Sequence, residues 1–334
     1  MSIPRRTLLQ GSGAAALLAG LGRGAVAQTP PAPPPLPSAR IVSGFAAGGS
    51  ADIVCRRVAA RLAPSYAEAV IVDNRTGAAG QIAVSYVKAQ PADGSTILQT
   101  PNSVLTIYPH IYKKLPYDPV ADLTPVSLGS VFDFGFAVGP AVPANVQSVR
   151  DFLGWAKANP PGANFGSPGA GTTPHFIGAL LGINGGVELR HVAYRGTQPA
   201  VLDLLGGSLS AVCGPLGDLT QHLAGGKLRL LATSGAQRSR FAPEVPTFVE
   251  QGLREMAISQ WYGFFLPARA SAPVVAHLNA SLRAALASRE VIDGLSAVGL
   301  EAKSSTPGEL AEMVRSDSAM WAPIVKRIGF VAEG

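Results

Sequence analysis

Two glycine-rich stretches hold the residues most able to do chemistry. They are Phe45-Ala46-Ala47-Gly48-Gly49-Ser50-Ala51-Asp52 and Gly166-Ser167-Pro168-Gly169-Ala170-Gly171-Thr172-Thr173. Each falls between a short apolar run and a helical pattern, so each reads as a strand-to-helix turn. The start of a helix has N–H groups without intrahelical partners and a partial positive charge. Glycine lets the backbone approach a ligand closely, and Ser50, Ser167, Thr172 and Thr173 add hydroxyl donors. Such a turn suits an anion. One helix start contributes only about 0.3–1 kcal/mol, whereas micromolar affinity needs about 8 kcal/mol. Both turns, with charge-assisted hydrogen bonds of about 1.5–3 kcal/mol each, would have to act on one ligand. The residues alone leave a second reading open, in which both turns are plain connectors. Asp52 reads either as a helix cap or as a contact to a ligand amine or hydroxyl. His175 reads as a structural donor or as a ligand contact. Tyr194-Arg195-Gly196 would bring a phenol and a cation to the end of a strand.

The search for catalytic motifs is negative. There is no G-x-S-x-G, H-E-x-x-H or C-x-x-C. Gly225-Gly226-Lys227 lacks the rest of a phosphate-binding loop, and Pro174 stands where the third glycine of a dinucleotide fingerprint belongs. The histidines at 110, 175, 191, 222 and 277 show no metal-ligand spacing. No cofactor, metal or catalytic residue is expected. A hydrolase with Ser167 as nucleophile would need a positioned base, and His175 is the one near it in sequence.

The elements that must position these turns follow an α/β rhythm. Ile41-Val42, Val70-Ile71-Val72 and Thr96-Ile97-Leu98 read as strands, separated by a helix with Val54, Val58 and Leu62 at a spacing of four and by a helix over Gln81–Ala89. That order predicts a parallel sheet. Further strands are expected at Phe136–Val138, Asn164-Phe165, Val192–Tyr194, Leu209–Cys213, Leu228–Ala232 and Trp261–Leu266. Helices are expected at Ser148–Asn159, around His175, and at Gln198–Leu205, Val274–Ala287, Glu290–Val298 and Pro307–Ala322. Ser148-x-x-Asp151 and Thr306-x-x-Glu309 are capping boxes. Two α/β units plus terminal helices predict two joined lobes: 40–130 with 251–334, and 131–250. Ligands of open α/β sheets sit outside the carboxyl ends of the strands, which in a two-lobed chain can face each other across a cleft.

The first 27 residues read as a cleaved export signal, with Arg5-Arg6, an apolar run from Gly11 to Leu21 and Ala25-Val26-Ala27. Arg5-Arg6-Thr7-Leu8-Leu9 partly matches a twin-arginine signal, so Tat-like and Sec export both stay open. Residues 28–39 read as a proline-rich linker. Removing Arg5, Arg6 and Arg23 from the 27 basic residues leaves 24 against 21 acidic, a net charge of +3. That excludes the basic footprint of a nucleic-acid binder. Cys55 and Cys213 read as two separate buried thiols. A monomer exported to the periplasm is expected.

Taken in order, these pieces resemble the Bug (Bordetella uptake gene) family, the solute-binding proteins of tripartite tricarboxylate transporters. The resemblance runs from Arg40 to the C-terminus. It is carried by the 45–52 turn, Val72-Asp73-Asn74-Arg75-Thr76-Gly77-Ala78-Ala79-Gly80, Pro116-Tyr117-Asp118-Pro119, Asp122-Leu123-Thr124-Pro125-Val126, Gly166 through His175, Tyr194-Arg195-Gly196, Leu204-Leu205-Gly206-Gly207, Gly225-Gly226-Lys227-Leu228 and Val245-Pro246-Thr247. It implies a two-lobed Venus-flytrap fold, a small organic carboxylate as ligand and delivery to membrane permease subunits. A sensor presenting its solute to a membrane kinase is the alternative. The ligand-binding residues it implies are Phe45, Ala46, Gly48, Asp52, Ser167, Gly171, Thr172, Thr173 and His175, to which position adds Tyr194, Ser210 and Gly214. Gly44, Ser210 and Cys213-Gly214-Pro215 depart from the family pattern. The last two departures are expected at a strand end facing the distal part of the ligand, and they bear on whether that ligand has two acidic ends.

Overall fold

The computed structural model describes residues 34–332. The export signal and residues 28–33 of the expected linker lie outside the described residues.

The chain opens with β1 (Leu36–Ser43), α1 (Ser50–Leu62), β2 (Ala67–Asn74), α2 (Gln81–Lys88) and β3 (Thr96–Pro101). β1 is parallel to both β2 and β3. Val54, Val58 and Leu62 are fully buried beneath α1 while Arg56, Arg57 and Arg61 stay exposed. Each such burial stabilises by about 1.5–3 kcal/mol. β1 starts inside the stretch read as linker, at Leu36. Over residues 36–39 it pairs only with β2, because β3 joins from Arg40 onward. Pro37 therefore sits where the strand has one open edge, and a missing N–H is tolerated there.

Two short helices, α3 (Ser103–Thr106) and α4 (Tyr108–Ile111), precede the 16-residue β4 (Leu123–Val138). Next come α5 (Val149–Ala158), β5 (Asn164–Ser167), α6 (Thr173–Gly185), β6 (Arg190–Ala193), α7 (Thr197–Leu205), β7 (Ala211–Pro215), α8 (Leu216–Thr220) and β8 (Arg229–Thr233). The chain then forms β9 (Ser259–Pro267), α9 (Ala272–Ala287), α10 (Arg289–Ser296), β10 (Glu301–Ala302) and α11 (Pro307–Ile328). Both capping boxes form, at Ser148 and at Thr306.

The strand order is β2-β1-β3-β9-β4-β7-β5-β6, with β8 and β10 also pairing to β4. β4 joins two groups of strands. Its Leu123–Asp133 part lies antiparallel to β9, and Phe134–Val138 lies antiparallel to β7 and β8. β9 runs antiparallel between β3 and β4, so the first group is mixed rather than parallel. The chain leaves this group along β4 and re-enters along β9 from the far side, which reverses the direction of β9. One large apolar core underlies both groups, and a smaller one lies around Val201, Leu204 and Val212. Cys55 on α1 and Cys213 on β7 are buried, separate thiols. Among the described residues no helix is long and apolar enough to cross a membrane.

Candidate ligand-binding cleft

β1, β5 and β6 each lead directly into a helix, so the starts of α1, α6 and α7 gather at strand C-terminal ends. They converge on one cleft. Gly49, Ser50 and Ala51 come from the start of α1, Thr172 and Pro174 from that of α6, and Gly196, Thr197 and Gln198 from that of α7. The walls are Phe45, Pro101, Phe132, Phe134, Pro168, Pro215 and Tyr262, and the polar groups include Ser103, Asp218 and Gln260. No lysine, arginine or histidine lines it. Among the described residues, the groups in this lining that favour an anion are the helix starts, each equivalent to roughly half a charge.

Of the ligand-binding residues that the resemblance implies, Phe45, Ala46 and Thr172 line this cleft, as does Ser50, read as a hydroxyl donor of the first turn. Most of the others hold up its wall. Asp52 accepts from the Gly48 N–H at 2.9 Å, from Arg56 Nε at 2.8 Å and from Asn74 Nδ2 at 3.0 Å. Burial works to raise its pKa, but these donors outweigh it and hold the carboxyl below its ordinary range. Asp52 thus fastens the turn around Gly48, which takes the left-handed φ of +82°. Asp52→Ala is expected to lower stability by about 2 kcal/mol, the scale of losing charge-assisted bonds. An unchanged urea midpoint would show that the turn holds without it.

Thr172 Oγ1 donates to Gly169 O at 2.7 Å, and the Gly171 N–H donates to His175 Nδ1 at 3.0 Å. Gly171 has φ +77°, and a Cβ there would lie 2.4 Å from Ile111 Cδ1. Thr173 is fully buried, and its Oγ1 has no partner among the described residues. Ser167 is fully buried, and its hydroxyl lies 2.7 Å from His191 Nε2. His175 and His191 stack with ring centroids 3.9 Å apart. Burial pushes His175 down to about 4, and burial together with the neighbouring His175 pushes His191 down to about 3. The base near Ser167 is His191, and neither Ser167 nor either histidine is among the cleft-lining residues.

Gly214 lies under Thr197: a Cβ there would be 2.5 Å from Thr197 Cγ2. Ser210 precedes β7 at the end opposite Pro215, and its N–H donates to Asn164. At roughly 3.3 Å per residue of strand it lies well away from Pro215, and of the departures near β7 only Pro215 is among the cleft-lining residues. Tyr194 donates to Asp203 at 2.6 Å and lines a separate depression with Phe45, Pro168 and Arg195. The departure at Gly44 has a packing reason, since a Cβ there would lie 2.6 Å from Gly80 Cα.

Asp218 and Gln260 were not anticipated from the sequence. Asp218, at the start of α8, is 2% exposed. Its Oδ1 accepts from the Ser50 N–H at 2.8 Å and from the Ser50 hydroxyl. Burial pushes its carboxyl above the ordinary range despite Ser50 and Thr197 as donors. Gln260 is also 2% exposed, and neither end of its amide has a partner among the described residues. The available signal for Gln260 is a polar residue inside the apolar strand Ser-Gln-Trp-Tyr-Gly-Phe-Phe-Leu-Pro. Among the described residues, no group of three or more His, Cys, Asp or Glu side chains gathers as a metal site would require.

Comparison with known proteins identifies the family. Residues 54–330 match the family model described as "Tripartite tricarboxylate transporter family receptor". A relative from Pseudomonas sp. (strain P51), "UPF0065 protein in tcbD-tcbE intergenic region", is 32% identical over 282 residues, covering 84% of this chain and 83% of its own. The solved structure of the periplasmic binding protein BugD is 28% identical, covers 89% of this chain and 99% of its own, and superposes with a TM-score of 0.83. R. palustris Rpa4515 with adipate is 29% identical, covers 88% and 98%, and also has a TM-score of 0.83. A turn-to-helix cleft without side-chain cations, on a fold shared with these proteins, leads to one conclusion: the chain belongs to the tripartite tricarboxylate transporter receptors of the Bug type, a family of periplasmic solute-binding proteins.

Proposed function

We propose that this protein captures a small organic carboxylate in the cleft and hands it to membrane permease subunits, without chemical change to the ligand. One observation carries the reading. The starts of α6 and α7, helices of 13 and 9 residues, open on a cleft with no cationic side chain among the described residues. Such starts favour an anion through N–H groups and dipole, and the aromatic and proline walls suit a short carbon chain. The adipate held by Rpa4515 supports the same class of ligand. In this proposal the two lobes are 40–130 with 251–334, and 131–250, and β4 and β9 form the connection about which they close. The mature chain acts in the periplasm as a monomer after removal of residues 1–27. Thr172, Thr173 and the backbone of the 167–173 turn hold the carboxylate, with Phe45 and Ala46 against it.

Carboxylates are therefore expected to raise the melting temperature. At a hundredfold excess over Kd the gain is about 2.7 kcal/mol, or roughly 5 °C for a chain of this size. Gly171→Val should abolish the shift, because the left-handed φ and the contact with Ile111 both oppose a branched side chain. A thermal-shift screen of organic acids with no hit would defeat the proposal. Unchanged affinity in Gly171→Val, read by calorimetry, would move the site elsewhere.

A further inference from the structure

The start of α1, one of the three that face the cleft, already holds a carboxylate. Asp218 comes from the far side of the sequence and takes both the backbone N–H and the hydroxyl of Ser50. It is 2% exposed and lies in a cavity lined by no cation. In the same lining is Gln260, whose amide oxygen and nitrogen are both buried without a partner among the described residues. Gln198, also in the lining, has a buried, unpartnered Nε2. A carboxylate and an unpartnered acceptor-and-donor amide in one lining complement a group that donates hydrogen bonds. It opposes a second carboxylate, for which the anion position at α1 is already taken. Buried polar groups left unpaired by the wrong ligand discriminate strongly, because their desolvation is not compensated.

We propose that the ligand carries a single carboxylate, held at the starts of α6 and α7, and a nitrogen-bound donor (an ammonium or primary amide) that Asp218 and Gln260 accept, so that the cleft selects against dicarboxylates. This rests on the carboxylate-capture reading above and narrows it to a class of ligand. Asp218 sets the specificity by supplying charge where a diacid would put its second carboxylate. The phenyl rings of Phe132 and Phe134 and the proline walls enclose the carbon chain between the two ends.

The test is calorimetric titration of the full chain with three ligands of one length: adipate, its monoamide, and 6-aminohexanoate. The corresponding four-carbon and eight-carbon sets control for chain length. At the best length the nitrogen-bearing acids are expected to bind at least tenfold more tightly than the diacid. Asp218→Asn is expected to weaken the amino acid and strengthen the diacid, each by about tenfold or more. Asp218→Ser, which keeps a hydroxyl near Ser50, is expected to shift the preference in the same direction, and the melting curves of both variants report whether they fold. If diacids bind the unaltered protein as tightly as their nitrogen analogues, or the ratio is unchanged in both folded variants, this proposal is overturned while carboxylate capture stands. If no acid of any length binds the unaltered or substituted protein, carboxylate capture itself falls, and this proposal falls with it.

Discussion

Between pH 8 and pH 5 the folded protein is expected to lose about 4 kcal/mol of stability through two residues, His175 and His191. Both rings are held neutral, His175 down to about 4 and His191 down to about 3, by burial first and, for His191, by the other ring as well. In the unfolded chain each titrates near its model value of 6.5. Below that pH the unfolded state binds two protons that the folded state refuses, and stability falls by about 1.4 kcal/mol per pH unit for each. The loss starts as pH drops through 6.5 and levels off only near the folded values. A total of 4 kcal/mol is a large share of the roughly 5–15 kcal/mol by which a native chain is stable.

The geometry shows why the folded state resists protonation. His175 Nδ1 accepts the Gly171 N–H, so a proton on that nitrogen would turn a hydrogen bond into two opposed donors. The rings stack at 3.9 Å, so charging both would set two cations face to face. The Phe330 edge against His175 offers no compensating charge. His277, stacked on Tyr66, is shifted down by burial and adds to the slope, whereas Asp133 and Asp218 are shifted up by burial and oppose it. The double variant His175→Asn with His191→Gln isolates the pair, because the amides can reproduce the two hydrogen-bonding roles without titrating. Urea unfolding at a series of pH values should give a flatter profile for the variant between pH 8 and 5. Equal slopes in the two proteins would remove the histidine pair as the cause.

This pair also shows where sequence reading stops. The turns, the two capping boxes and the amphipathic α1 are local features, written in residues within four or five positions of each other, and they form as the pattern requires. Gly171 is legible as part of a turn, but its partner His175, which reads as a structural donor or a ligand contact, is made an acceptor by the fold. His191 is legible only as lacking metal-ligand spacing, since nothing in Leu-Arg-His-Val signals that β6 will lay it on His175. The same limit hid Asp218. Its contact with Ser50 joins residues 168 positions apart, and it exists only because β4 runs from one group of strands into the other. Gln260 depends equally on β9 returning antiparallel beside β4, which the βαβ rhythm of the first hundred residues argued against. The proposed carboxylate end of the cleft is built from adjacent residues and is legible. The proposed selecting end is built by topology.

Gly217→Ala is the substitution expected to cost most, about 4 kcal/mol or more. A Cβ at this position would lie 1.6 Å from the carbonyl oxygen of Val298 and 2.7 Å from its carbon. The opposing surface is Gly299, at φ +71°, whose own Cβ would come within 2.8 Å of Gly217 Cα. Two backbones are in direct contact, so no side-chain rotation can relieve the clash. Overpacking that side chains can absorb costs about 1–3 kcal/mol, and here α8 itself must move. Its neighbours prevent an easy shift, because Leu216 and Leu219 are fully buried and Asp218 is bonded to Ser50. Any displacement that makes room for the methyl group therefore also pulls Asp218 from the start of α1. Gly154→Ala provides the contrast. It lies within α5, has an ordinary φ and no atom within 4 Å of the added carbon, so there alanine should stabilise by about 0.5–1 kcal/mol. Urea midpoints should move in opposite directions for the two substitutions. If Gly217→Ala were as benign as Gly154→Ala, the tight seating of α8 against Val298 and Gly299 would be wrong, and with it the buried position of Asp218 on which the proposed selectivity depends.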